Sequence, residues 1–307
     1  MTGVDLEFIG TLVHGPLGWT AAALWGAIWG SFFNVLIVRL PAGESLVRPA
    51  SHCRSCSAPI AWYDNIPLLS YLLLRGRCRH CGARVSPRYV IVELLVTTLT
   101  LAMYLSFVHL DPATSRQPGL NLSRFVITSL FCGVLVGISV IDFDTMRILD
   151  AITYPGIVVS VALSQFFALP HWWDGLVGAV AGYLVIRLLA DGYRLIRGRT
   201  GMGYGDAKLL AMIGGLGGWQ VLLPVIFLSA LQGSVIGITL MAVARGLRRR
   251  RGEEEPVHEL DEEEPPADPH SLWQARLPYG PFLCLAAVEV ILLRAQLPMF
   301  FPYLYQS

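Results

Sequence analysis

The chain has 307 residues, 54% hydrophobic and 15% charged, with mean hydropathy +0.56 and a formal net charge of +1. A water-soluble globule could not cover that much apolar side chain, and so apolar a chain is not disordered. The small net charge excludes a nucleic-acid binder driven by excess basic charge. What remains is an integral membrane protein: residues 8–38 hold no Asp, Glu, Lys or Arg over 31 positions, where a bilayer crossing needs about 20.

In chain order, a first crossing within residues 1–38 is followed by a small segment, 39–88, rich in Arg and bearing paired cysteines. Charge-free stretches at 94–110, 125–141, 151–173 and 175–186, the last continuing past Arg187 to 190, each predict one helix. The stretch 209–244 is 36 residues, too long for one crossing; Gly214-Gly215, Gly217-Gly218 and Trp219-Gln220 predict a turn inside it, leaving a short first helix. Residues 245–276 carry nine acidic residues and four prolines and read as a disordered, solvated linker. The last apolar segment, 278–303, contains Glu289 and Arg294, so it packs against neighbours or lies partly at the interface. The expectation is an all-α polytopic membrane protein of about eight transmembrane helices with a small cytoplasmic four-cysteine domain. Its divisions are 1–38, 39–88, 89–244, 245–276 and 277–307. No internal repeat is evident.

Orientation follows from Lys and Arg, which accumulate in cytoplasmic loops. Eight arginines lie between Arg39 and Arg88, and in all twenty of the 23 basic residues fall on one side of the predicted crossings, leaving Arg116, Arg124 and Arg294 elsewhere. That side is read as cytoplasmic and both termini as external. The first segment lacks a basic region before it and does not read as a cleaved signal peptide.

Cys53-x-x-Cys56 and Cys78-x-x-Cys81 are separated by 21 residues, close to the spacing at which two tight turns present four thiolates to a tetrahedral zinc. A domain of about 50 residues has little core of its own, so a metal clip suits it. Disulfides or redox thiols are the competing reading, disfavoured by a cytoplasmic placement. His52 and His80 stand beside the cysteines, as ligand substitutes or solvated neighbours. Cys132 and Cys284 lie singly in apolar segments and read as small buried hydrophobes.

Asp142 and Asp144 close the third crossing, and Asp206 opens the sixth within Gly203-Tyr204-Gly205-Asp206-Ala207-Lys208. The chain crosses twice between Asp142 and Asp206, so both lie at the same face of the membrane. Acids at the edge of the hydrocarbon are costly and are functional by default. Two carboxylates on one site repel as anions, so that one holds a proton the other lacks, the state an aspartyl protease uses. The bland alternative makes them ordinary helix ends, Asp142 pairing with Arg147 and Asp206 with Lys208. Gly203 and Gly205 let backbone or substrate approach Asp206; a phosphate-binding loop fits poorly, because no strand precedes it. Glu93, just inside the second crossing, is either another functional acid or a cap on the cysteine domain.

Taken together, these motifs resemble the prepilin peptidases, also called type IV leader peptidases, bacterial relatives of membrane proteases with a Gly-x-Gly-Asp motif. The resemblance runs from Gly30-Ser31-Phe32-Phe33-Asn34-Val35 and Arg39-Leu40-Pro41 through the Cys pairs, with Asp64-Asn65-Ile66-Pro67 between them. It continues through Ser86-Pro87-Arg88-Tyr89, Val92-Glu93-Leu94-Leu95, Ile141-Asp142-Phe143-Asp144 and Gly203-Tyr204-Gly205-Asp206-Ala207-Lys208. It implies that Asp142 and Asp206 are catalytic, with Asp144, Gly203, Gly205, Lys208 and Glu93 in support. The implied substrate is a prepilin or pseudopilin of a type IV pilus or type II secretion system, cut after a Gly that ends a short basic leader. Members with four cysteines also methylate the new N-terminus with S-adenosylmethionine. The resemblance implies a multi-pass protein of the bacterial inner membrane, in contact with lipid and not with nucleic acid, whose active site faces the cytoplasm. Where the family often has Leu-Pro-Asp after the first Asp, this chain has Ile148-Leu149-Asp150, and the acidic stretch 252–270 matches no family motif. No segment is assigned to the methyl donor.

Two rival classes remain at this point. A thiol redox membrane protein would use the Cys pairs without metal. A proton-coupled transporter would spread its acids along a path through several helices, whereas Asp142, Asp144, Asp150 and Asp206 cluster at one face.

Overall fold

The computed structural model describes residues 13–110, 118–167, 169, 171–198, 203–251, 277–294 and 296–300. The apolar segments are all helical. In order they are α1 (Pro16–Arg39), α2 (Leu69–Leu73), α3 (Arg88–Tyr104, prolonged by a π turn at Leu105–His109) and α4 (Pro118–Thr145). There follow α5 (Asp150–Leu163), α6 (Asp174–Arg197), α7 (Tyr204–Gly217), α8 (Leu222–Arg251), α9 (Gly280–Leu292) and α10 (Leu297–Phe300). Among the described residues there is no sheet, only two isolated bridges in the cysteine domain.

Among the described residues, five helices are long and apolar enough to cross a membrane: α1, α3 with its π turn, α4, α6 and α8. The other three anticipated crossings form α5, α7 and α9, of 14, 14 and 13 residues. At 1.5 Å per residue each is about 20 Å long, short of the roughly 30 Å hydrocarbon core. Helix α7 tolerates this because neighbours enclose it: from Asp206 to Leu216 every residue but Lys208 is buried. The turn anticipated inside 209–244 falls at Gly218, whose φ of +78° ends α7, and a 3-10 turn at Trp219–Val221 leads into α8.

Two glycine-lined crossings fix the geometry. A Cβ on Gly26 would lie 2.8 Å from the Thr97 Cα, and one on Gly30 would lie 2.9 Å from the Glu93 Cα, so α1 and α3 touch backbone to backbone. On the other side, Gly178 and Gly182 of α6 press on the Gly214 and Leu210 carbonyls of α7. Small residues allow such approach where lipid offers no hydrophobic drive between helices. Polar side chains in the last helix find partners, as anticipated: Glu289 accepts from the Gln232 amide at 2.6 Å, and the Arg294 guanidinium lies 3.7 Å from the Phe107 ring centroid.

Two expectations are corrected at the ends of these elements. Helix α8 runs on through Arg248–Arg251, so the linker anticipated from 245 begins as helix; residues 252–276, with the acidic run, lie outside the described residues. The final segment breaks at Leu293 and does not continue as one helix to 303.

Candidate active site and metal centre

The cysteine domain consists of two matching turns. Cys53 N–H donates to the Ala58 carbonyl and Ser57 N–H to the Cys53 carbonyl; Cys78 with Ala83 and Gly82 with Cys78 repeat the pattern, all at 2.8–2.9 Å. Each turn is closed by a bridge, His52 to Pro59 and Arg77 to Arg84, and the residue after the second Cys is left-handed in both: Ser57 at φ +56° and Gly82 at φ +69°. The repeat missed in the sequence is a short one, Cys-Arg-x-Cys-x-Ala at 53–58 and again at 78–83, matched by the backbone conformation of the two turns.

The turns aim all four sulfurs at one point. The Sγ atoms of Cys53, Cys56, Cys78 and Cys81 lie within 4.8 Å of one another, with Cys53 and Cys81 at 3.8 Å. Four sulfurs at the Zn–S distance of about 2.3 Å in a tetrahedron are about 3.8 Å apart, so the donor set fits zinc in size and chemistry. None of the four is in a disulfide. Backbone N–H groups of Cys56 and then Ser55 pull the Cys53 thiol down to about 6, which favours the ligating thiolate. Neither His52 nor His80 belongs to the four-sulfur cluster. Asp64 and Arg79 brace the domain through a bidentate pair at 2.6 and 2.7 Å, which holds the Asp64 carboxyl below its usual range.

The acids come together at one end of the bundle. Asp142 lies in the last turn of α4 and is 5% exposed; Asp206 is the third residue of α7 and 8% exposed. They are close enough for the Asp142 charge to act on Asp206. Each carboxylate lies against a glycine at a helix start: a Cβ on Gly280, the first residue of α9, would stand 2.5 Å from Asp142 Oδ2, and one on Gly203, the N-cap of α7, 3.4 Å from Asp206 Oδ2. Asp206 N–H donates to the Gly203 carbonyl at 3.2 Å, closing the first turn of α7. Two helix N-termini thus point their positive ends at one pair of buried acids. Ile148 fills the space between them, touching where Cβ atoms on Gly205 and Gly280 would stand. The next residue, Leu149, stands where the family's Leu-Pro-Asp often has its proline.

The remaining expected site residues have structural partners. Asp144, on the far side of α4, pairs with Arg88 at the start of α3. Lys208 reaches Asp150 at 2.5 Å and lies 4.6 Å from the Tyr154 ring, so it ties α7 to α5 and does not pair with Asp206. Glu93 accepts the Leu68 N–H at 2.8 Å, capping the start of α2, and bonds the Ser31 hydroxyl. It also lines a cavity of about 680 Å³ between α1, α3 and the cysteine domain, together with Ser31, Asn34, Glu44, His52 and Tyr89. Both readings left open for Glu93 therefore have a counterpart. Cys132 and Cys284 are buried in the core as anticipated.

Sequence reading missed Tyr279 and Gly280. A Cβ on Gly280 would lie 2.5 Å from Asp142 Oδ2, and the Tyr279 hydroxyl, 2.7 Å from Ser229 Oγ, feels the Asp206 charge. The available signal was the Pro278-Tyr279-Gly280-Pro281 punctuation opening the last helix.

The chain is a multi-pass helical bundle with two buried acids on separate helices, beside a domain of four clustered cysteines. Residues 24–107 match the model of the bacterial peptidase A24 N-terminal domain, and residues 129–238 match that of the type IV leader peptidase family. Relatives named prepilin leader peptidase/N-methyltransferase include one from Aeromonas hydrophila, 34% identical over 303 residues, covering 90% of this chain and 91% of the relative. One from Myxococcus xanthus is 38% identical over 249 residues, covering 79% and 70%, and one from Klebsiella pneumoniae is 38% identical over 212 residues, covering 67% and 87%. The chain belongs to the type IV leader peptidase family. No solved structure matches it. Helix α9, with Gly280, lies outside both matched segments.

Proposed function

We propose that this protein removes the leader of prepilins or pseudopilins with Asp142 and Asp206 and methylates the new N-terminus. The observation that carries the reading is the buried pair of carboxylates, each lying against a glycine at the start of a helix. With one acid ionised and one protonated, the carboxylate takes a proton from water, whose oxygen attacks the scissile carbonyl. The acid gives its proton to the carbonyl oxygen, and collapse of the tetrahedral species expels the amine, which takes a proton from the first group. A redox role for the cysteines is less favoured, because four sulfurs at tetrahedral spacing satisfy a metal better than a single exchanging pair. The clustering of acids at one end argues against a transport path.

Zinc held by Cys53, Cys56, Cys78 and Cys81 has a full coordination shell and acts structurally. S-adenosylmethionine, when bound, supplies an electrophilic methyl group. The 680 Å³ cavity lined by Glu93 and Glu44 suits it in size, a small-molecule site being about 300–1,000 Å³; Arg39, Arg54, Arg77, Arg79 and Arg84 line the same cavity. In this reading Glu93, which lines the cavity, takes the proton released by the methylated amine. The charge sorting supports a bacterial inner-membrane location with this end facing the cytoplasm.

The test is Asp142→Asn and Asp206→Asn, each assayed by intact mass on a purified prepilin. Each is expected to lose cleavage by at least about 10³-fold while remaining membrane-inserted, since an amide neither activates water nor delivers a proton. Asp144→Asn is expected to stay within about tenfold of wild type, because its partner Arg88 is exposed and such pairs contribute roughly 0–1 kcal/mol. Near-normal cleavage by either of the first two removes that residue from the mechanism.

A further inference from the structure

A second cavity, of about 530 Å³, opens on the cysteine domain and is lined by Tyr71, Arg75, Arg77, Arg84, Ser86 and Pro87, among others. Arg77 and Arg84 stand opposite each other across the antiparallel bridge that closes the second cysteine turn. Like charges directly opposite are destabilising. Among the described residues, Arg79 pairs with Asp64 and Arg88 with Asp144, whereas Arg75, Arg77 and Arg84, like Arg48 and Arg54 elsewhere in the domain, have no carboxylate partner. Three unbalanced guanidinium groups around one concavity call for an anion.

The surroundings indicate which kind. Pro87 lines the cavity and is the residue immediately before the membrane helix α3, so the opening stands at the level where headgroups begin. Two residues before Arg75, helix α2 ends with Leu72 and Leu73 at 70% and 72% exposed, and Trp62 in the same domain is 80% exposed. Large apolar side chains left bare in a domain tethered to the bilayer at both ends suit the interface, where Trp and Leu are stabilised. The acids of residues 253–268 could supply charge to the arginines but no acyl chain for the leucines.

We propose that this cavity binds the phosphodiester headgroup of an anionic phospholipid, with Arg75, Arg77 and Arg84 on the phosphate and Leu72, Leu73 and Trp62 in the interfacial layer. The cysteine domain then lies on the cytoplasmic leaflet, and lipid charge relieves the repulsion between Arg77 and Arg84. The site is separate from the aspartates and adjoins the Glu93 cavity, with which it shares Arg77 and Arg84; Arg75 and Pro87 line this opening alone.

The experiment is native mass spectrometry of the full-length protein in detergent, titrated with phosphatidylglycerol or phosphatidylcholine. It compares wild type, the triple variant Arg75→Gln/Arg77→Gln/Arg84→Gln, and Arg48→Gln, a change in the same domain outside the cavity. Each arginine near an anionic headgroup is worth roughly fivefold in binding, so the triple variant is expected to bind phosphatidylglycerol on the order of 100-fold more weakly. Wild type and Arg48→Gln are expected to prefer phosphatidylglycerol by tenfold or more. Because the triple change removes like-charge repulsion, its melting midpoint in detergent without anionic lipid is expected to be no lower than that of wild type. Should it fail to fold, the single variant Arg84→Gln, expected to lose roughly fivefold, decides. Equal binding of the two lipids, a triple variant within threefold of wild type, or full displacement of the lipid by millimolar inorganic phosphate overturns the proposal.

Discussion

Replacing Gly280 by Ala adds one methyl group to the first turn of α9, 2.5 Å from Asp142 Oδ2 and 3.1 Å from Ile148 Cδ1. Ordinary contact begins near 3.4 Å, so either the carboxylate or the start of α9 must retreat by about 1 Å. Displacing a reacting group by that distance costs about 10²-fold in rate, or about 2.7 kcal/mol at 1.36 kcal/mol per tenfold. Overpacking costs stability by about 1–3 kcal/mol, partly offset by the better helix propensity of Ala, up to about 1 kcal/mol. The protein should therefore fold while cleaving slowly. The assay is kcat/KM for leader removal by intact mass, with methylation of a pre-cleaved pilin measured in parallel, since the proposed site of that step is the Glu93 cavity. Gly237→Ala in α8 is the control: nothing lies within 4 Å of its Cβ, so it should cleave normally. Cleavage by Gly280→Ala within threefold of wild type would refute the placement of Gly280 against a catalytic Asp142.

Three further outcomes are expected. Cys56→Ser removes a direct ligand, so metal affinity should fall by more than the roughly 10–100-fold that losing a partner outside the coordination sphere costs; zinc content and a two-product assay check it, and methylation should fall further than cleavage because the aspartates stand on helices held by membrane packing. Glu93→Gln keeps an acceptor for the Leu68 N–H but loses the charge, so methylation should drop by at least about tenfold, the effect of ~1.4 kcal/mol from a partly screened charge contact, with cleavage preserved. A reporter fused after Arg248 should read as cytoplasmic and one after Ser307 as external, by the sorting of twenty of 23 basic residues; both on one side would mean that the short α9 segment does not carry the chain across.

The membrane class, the helical segments, the break near Gly218 and the four-cysteine cluster were legible because hydropathy runs, glycine turns and ligand spacing are local properties. The shared face of Asp142 and Asp206 followed from counting crossings, which needs no packing detail. Partner choice was not legible in this way. Lys208 was a reasonable neighbour for Asp206 two residues away, yet in α7 it extends to Asp150 across a helix interface, and Asp144 reaches Arg88 from 56 residues away. Nor could spacing reveal that the first turn of α9 backs Asp142, because Gly280 lies far along the chain and its role depends on where the last helix docks.

Alone, then, the sequence determined which residues are too apolar for water and which acids and thiols stand at the membrane edge, since transfer energy and turn geometry act residue by residue. Tertiary structure decided which carboxylate meets which donor. Glycine-lined crossings at α1–α3 and α6–α7 set helix separations to within a methyl group, and a hydrogen bond depends on separations of that size.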